Sequence, residues 1–155
     1  MSNILIAYFS AGGVTRRAAE EIASATGGDL FEIVPAQPYT AADLDWRDKQ
    51  SRCTREMTDP ASRPAVAGKV DHMDRYDTVF VGFPIWWGVE PRVVDTFLEG
   101  YDLTGKTMIP FATSGGSRMP YAQNHLQGLY PGLSWQEGSL VNSGAAEWAR
   151  RILSK

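Results

Sequence analysis

Cysteine is nearly missing from this sequence: Cys53 is the single one in 155 residues, which excludes a disulfide within the chain. With two histidines and no CxxC or Cys/His cluster, no metal site is expected either. A reducing cytoplasm suits such a chain. Long hydrophobic runs are also lacking. The apolar stretch "ILIAYF" near the start is too short for a signal-peptide core, and nothing later approaches the length of a membrane span, so no membrane partner is expected. There is no surplus of positive charge. Fifteen Lys and Arg stand against 18 Asp and Glu, a net charge of -3, which gives no electrostatic reason to expect nucleic acid as a partner. No internal repeat, low-complexity tract or long linker divides residues 1–155, which are expected to form a single domain.

What is present is an ordinary globular composition, 43% hydrophobic and 21% charged, arranged in alternating patterns. "ILIAYF" (Ile4 to Phe9) reads as a strand buried on both faces, followed by a helix with Val14, Ala18, Ile22 and Ala25 on one side. Gly27 and Gly28 stop that helix. "DLFEIV" is a second strand closed by Pro35 and Pro38. The polar segment from Tyr39 to Met57 carries a less periodic helix ended by Pro60 and Pro64. "DTVFVGF" (Asp77 to Phe83) is a third strand, with a helix after Pro91 marked by Val93, Val94, Phe97 and Leu98. "TMIPFAT" follows as a fourth strand, then a short helix from Tyr121 to Leu129 and a fifth strand near "SLVN". The final helix turns Ala145, Trp148, Ala149, Ile152 and Leu153 to one face and sets Arg150, Arg151 and Lys155 near its C-terminus, where positive charge is favoured. Five strand-helix repeats predict an α/β fold: a doubly wound parallel sheet with helices on both faces.

"GYDLTGKT" (Gly100 to Thr107) matches the phosphate-cradling pattern G-x-x-x-x-G-K-[ST]. That chemistry requires the loop to leave a strand and open a helix, so that the helix N-terminal amides face the phosphates. Here the order is reversed. Gly100 ends a helix and Thr107 starts a strand, so Gly100 is read as a helix stop, and Gly105-Lys106 as a turn.

The strand-to-helix turn "SAGGVT" (Ser10 to Thr15) has the right context, with Gly12 and Gly13 allowing close backbone approach and Ser10 and Thr15 offering hydroxyls. It is not GxGxxG, which argues against a dinucleotide site. Two further loops leave the carboxyl ends of strands, where open α/β sheets bind ligands. In "PIWWGVEPR" the adjacent Trp86 and Trp87 point to opposite sides of an extended segment, so one packs inward and the other is free for a flat ligand. "TSGGSRMPY" (Thr113 to Tyr121) is rich in amides and hydroxyls, with Met119 and Tyr121 either over the pocket or packed at a helix start. The three loops together describe a pocket for a planar heterocycle carrying one phosphate. His72 and His125 have no nearby motif and read as surface or packing residues, and Cys53, on a polar segment, reads as an incidental thiol.

With "ILIAYFS" at the start, "GFPIWWG" in the middle and "PFATSGGS" later, the chain resembles the flavodoxins, specifically short flavodoxin-like proteins, over nearly its whole length. The resemblance implies a three-layer α/β/α fold with a five-stranded parallel sheet in the order 2-1-3-4-5 and FMN as a non-covalent cofactor. Carried over by position, Ser10, Gly12, Gly13, Val14 and Thr15 would hold the phosphate. Pro84, Ile85, Trp86, Trp87 and Gly88 would flank the ring, with Trp87 stacking on it. Thr113, Ser114, Gly115 and Gly116 would meet its polar edge, with Ser117 at the margin. Gly88 would make a reorientation of the Trp87-Gly88 peptide toward the flavin cheap.

The chain departs from the resemblance at Gly12 and Val14, where the family pattern Thr-Gly-Asn-Thr has a hydroxyl and a side-chain amide. Two lost bonds to a charged group, at about 1.5 to 3 kcal/mol each, would lower affinity by orders of magnitude unless backbone amides or Arg16 compensate. No catalytic side chain is expected. The implied function is that of a low-potential one-electron carrier docking transiently to a reductase and an acceptor, as a monomer. The alternatives are an FMN-dependent NAD(P)H quinone or nitro-group reductase, for which a dimer is the expectation, and a module with weak or lost FMN binding.

Overall fold

The computed structural model describes residues 3–154, so Lys155 lies outside the described residues. The chain runs β1 (Ile4–Tyr8), α1 (Val14–Thr26), β2 (Asp29–Glu32), β3 (Val34–Pro35), α2 (Arg52–Thr58), β4 (Val66–Ala67), a short 3-10 turn at Met73–Arg75, and β5 (Thr78–Pro84). It continues with α3 (Arg92–Glu99), β6 (Thr107–Thr113), α4 (Met119–Leu129), β7 (Ser134–Trp135), β8 (Ser139–Leu140) and α5 (Ala145–Leu153). The main sheet is parallel in the order β2-β1-β5-β6, and β7 and β8 both pair with the outer side of β6. Since β7 and β8 share one position, the expected order of five strands holds. β3 and β4 form a separate antiparallel pair.

Residues alternate between the two faces of the strands, and the core divides accordingly. Ile6, Phe80, Ile109 and Phe111 pack with Ala18, Ile22 and Trp148 of α1 and α5. Leu5, Val79, Val81 and Met108 pack with Val93, Phe97 and Leu126 of α3 and α4. Gly82 is set by this packing, because a Cβ there would lie 2.1 Å from Cζ of Phe111. The strands also end in phase. Tyr8 stands opposite Gly82, and Pro84 opposite Thr113, so the loops after β1, β5 and β6 leave the same sheet edge.

Several expectations shift, each for a local reason. On α1 the buried face holds Thr15, Ala18, Ala19 and Ile22, while Val14 is 52% exposed. Only Arg52–Thr58 is helical in the polar segment before Pro60, with Ser51 capping its start. Ahead of it Thr40 and Asp43 bond each other's backbone amides, the local competition that such side chains offer to a helix. α4 begins two residues early, at Met119, with Pro120 in its first turn.

The fifth strand is broken in the middle. Met108 and Ala112 accept from Gln136 and Val141 on that side, so Pro110 between them presents to the same neighbour a position without an N–H. The edge opposite the three loops holds Lys106, whose Nζ donates to the carbonyls of Met73 and Tyr76. Gly105, with φ 84°, makes the turn before it, while Gly100 closes α3 at φ -84° without needing glycine's left-handed freedom. No helix among the described residues is long and apolar enough to cross a membrane.

Candidate functional site

The loop after β1 is built around Ser10. Its Oγ accepts from the amides of Gly13 at 3.0 Å and Arg16 at 3.2 Å, which folds the loop over the N-terminus of α1. Gly13 stands at φ 94°, as the helix entry requires. The amides of Ala11, Gly12, Val14 and Thr15 have no acceptor among the described residues. Four open donors at the positive end of a 13-residue helix are an arrangement able to receive an anion. Arg16 is turned away, paired with Glu32 at 2.6 Å. Compensation for the missing hydroxyl and amide therefore falls to the backbone.

After β5 the chain makes a tight hairpin. Trp86 and Val89 exchange both backbone hydrogen bonds, at 2.9 and 3.0 Å, and the two residues between them, Trp87 and Gly88, have φ 50° and 84°. Positive φ at both central positions is the type I′ turn. Rotating the central peptide would give type II′, which needs glycine at the first central position, and Trp87 stands there. Gly88 is thus used by the turn itself and does not make the peptide reorientation cheap. The two tryptophans divide as expected. Trp86 packs edge-on against Phe9 and Tyr39, and Trp87 is 47% exposed.

Beside this turn lies a cavity of about 500 Å³, lined by Ala11, Gly12, Leu44, Trp46, Ile85 and the two tryptophans, with Cys53 in its wall. It joins the amide loop to the aromatic turn, as a phosphorylated planar ligand requires. Trp46, 65% exposed, comes from the irregular segment before α2 and carried no sequence signal. Cys53, read from sequence as an incidental thiol on a polar segment, is buried at the cavity.

The loop after β6 differs in its donors. The Ser114 amide donates to Oδ1 of Asn142, whose Nδ2 donates back to the Ser114 carbonyl. Ser114 Oγ accepts from Gly116 and Ser117. Of the four amides from Ser114 to Ser117, only that of Gly115 is left without an acceptor among the described residues. A buried pair of hydroxyls, Thr15 Oγ1 and Thr113 Oγ1 at 2.7 Å, ties this loop to α1. The Thr15 hydroxyl is therefore already engaged, and only its backbone N–H is left open.

Sequence reasoning missed an acidic cluster under the aromatic turn. Glu90 and Asp95 are fully buried. His125 Nδ1 lies 2.9 Å from Glu90 Oε1, and the Tyr130 hydroxyl lies 2.8 Å from both Asp95 Oδ1 and Glu99 Oε2. Burial pushes the Glu90 carboxyl up, and burial together with Glu90 pushes Asp95 up to about 8. Burial lowers the pKa of His125. One turn earlier on α4, Tyr121 is 68% exposed and its ring faces Gly88, while Met119 is buried in the core.

Comparison with known proteins agrees with this geometry. The family model described as Flavodoxin matches residues 3–152. A protein from Bacteroides eggerthii described as a flavoprotein is 52% identical, with 97% of this chain and 95% of that one covered at a TM-score of 0.95. A second, from Bacteroides uniformis, is 50% identical over 98% and 97% of the two chains, with a TM-score of 0.92. A flavoprotein from Lactobacillus acidophilus, solved in complex with FMN, has the same fold at 22% identity, covering 94% and 97% at a TM-score of 0.76. No match was found among curated proteins.

Proposed function

The chain belongs to the flavodoxin family, and on that premise we propose that it binds FMN and works as an electron-transfer protein. The observation that carries this reading is the set of four unpaired amides at the start of α1, opening on the aromatic cavity beside Trp87. These residues fit FMN. Ala11, Gly12, Val14 and Thr15 offer their N–H groups to its phosphate, Gly13 sets the helix entry, and Ser10 shapes the loop. Pro84, Ile85, Trp86, Trp87 and Gly88 flank the ring, with Trp87 free to stack. From Thr113 to Ser117 the contribution is mainly a rigid wall, with the Gly115 amide open. FMN, once bound, supplies the redox chemistry, and the protein's part is to hold it, orient it and keep water from one face. Transient docking to a reductase and an acceptor, as a monomer in the cytoplasm, belongs to the same proposal.

One observation favours a second reading. The apolar wall runs on from Trp87 to Leu44 and Trp46, a surface on which a flat quinone or nitroaromatic substrate could also rest. Titrating the purified protein with FMN decides the first question: stoichiometric quenching of flavin fluorescence is expected, and its absence refutes FMN binding. Incubating the loaded protein with NAD(P)H and a quinone decides the second. A carrier shows no sustained turnover, and a reductase does.

A further inference from the structure

Glu90 is the residue next to the aromatic turn, directly after Val89, whose amide and carbonyl close the hairpin on Trp86. Its side chain is fully buried and meets groups from several elements. From α4 comes His125, 2.9 Å from Oε1, and from α3 comes Asp95, whose carboxyl lies within hydrogen-bonding reach of the Glu90 carboxyl. Arg92 of α3 is turned away, its guanidinium donating to the carbonyls of Glu56 and Met57. Arg63 is paired with Glu99 at 3.0 Å. Among the described residues neither Glu90 Oε2 nor Asp95 Oδ2 has a donor other than the neighbouring carboxyl, which bonds it only when one of the two is protonated.

The hydrogens can be counted. Tyr130 has one hydroxyl hydrogen, but two carboxyl oxygens stand 2.8 Å from its oxygen, Asp95 Oδ1 and Glu99 Oε2. Two short O···O contacts need two hydrogens. Glu99, beside Arg63, is held below its ordinary carboxylate range, so the second hydrogen belongs to Asp95. With Asp95 neutral, Glu90 is the one carboxylate of this buried pair that carries charge, able to accept from the His125 ring. Loss of the Asp95 proton would set two buried carboxylates against each other, one on α3 and one on the turn.

Resting on the FMN reading above, we propose that Glu90 is a proton-dependent positioning residue for the Trp86–Val89 turn, held in place while Asp95 keeps its proton and pushed away when Asp95 ionises. α4 braces the same turn twice, through His125 on Glu90 and Tyr121 against Gly88. The raised Asp95 pKa of about 8 supports this and sets the pH window. Because that pKa is raised on folding, its contribution to stability is complete below the ordinary carboxyl range. It is lost as pH rises through about 8.

The test is the affinity for FMN between pH 7 and 9, measured by fluorescence quenching, for wild type, Asp95→Asn and Glu90→Gln. The wild type should weaken above pH 8 by up to about tenfold per pH unit, the limit for one coupled proton. Asp95→Asn should bind with no such fall. Glu90→Gln, which removes the neighbouring charge, should move Asp95 ionisation to lower pH. A purely structural role would change melting temperature with pH and leave the affinity profile the same in wild type and Asp95→Asn, which overturns the proposal. If the wild type does not bind FMN at pH 7, the functional reading fails, and the proposal is then read in the ligand-free protein from hydrogen exchange at the Val89 amide. Protection lost above pH 8 in wild type alone supports it, and equal protection in wild type and Asp95→Asn overturns it. Should Asp95→Asn fail to fold, Glu90→Gln decides: a pH dependence displaced from that of the wild type supports the proposal, and one identical to the wild type overturns it.

Discussion

Two loops of this molecule carry nearly the same letters, Ala-Gly-Gly after β1 and Ser-Gly-Gly after β6, and they have opposite hydrogen-bonding states. In the first, Ser10 takes two of the six amides from Ala11 to Arg16 and the other four remain open. In the second, Ser114 and Asn142 take three and one remains open. Glycine content lets a backbone approach a ligand, but the acceptors already present decide whether any donor is left for it. The first loop keeps donors to offer. The second is a wall whose shape is fixed by its own bonds.

The contrast can be broken most severely by changing the ligand. If the first loop's open amides hold a phosphate, riboflavin, which lacks one, should bind about a hundredfold more weakly than FMN or worse, since each bond to a charged group contributes about 1.5 to 3 kcal/mol. Equal affinities would make the two loops equivalent. A smaller effect comes from cutting the tie between them. Thr15→Val should destabilise the fold by about 1 to 3 kcal/mol, by leaving the Thr113 hydroxyl buried and unpaired, and adding Thr113→Val should recover much of that loss. Denaturant unfolding of both single variants and the double variant checks it. Least costly is Asn142→Ala, which removes two exposed bonds from the wall. A stability loss of about 1 kcal/mol is expected, with FMN affinity within a few fold of wild type. A large affinity loss would mean that the wall also contacts the ligand directly.

Much of this architecture could be read from the chain. The strands are short apolar runs that end in small residues, and the in-phase endings of β1, β5 and β6 put the loops where open sheets bind ligands. The division of labour between Trp86 and Trp87 followed from alternation along an extended segment. What was not legible depends on distance in sequence. Asn142 meets Ser114 across 28 residues, and His125 meets Glu90 across 35. Neither pair shares a local pattern. Trp46 belongs to a segment where side chains of Thr40 and Asp43 divert the backbone from helix, so no period marks its direction. The Walker-like "GYDLTGKT" was correctly set aside by its context. Its lysine is consumed by the carbonyls of Met73 and Tyr76 at the far edge of the sheet.

The hydroxyl pair of Thr15 and Thr113 has one more consequence. Two oxygens 2.7 Å apart share one of their two hydrogens, and either can be the donor. The remaining hydrogen then points elsewhere, from the first loop in one arrangement and from the wall in the other. Interchange needs only rotation about two C–O bonds, with no heavy atom displaced. The pair therefore has a direction, like a small compass needle between the two loops, and that direction can reverse without moving the backbone.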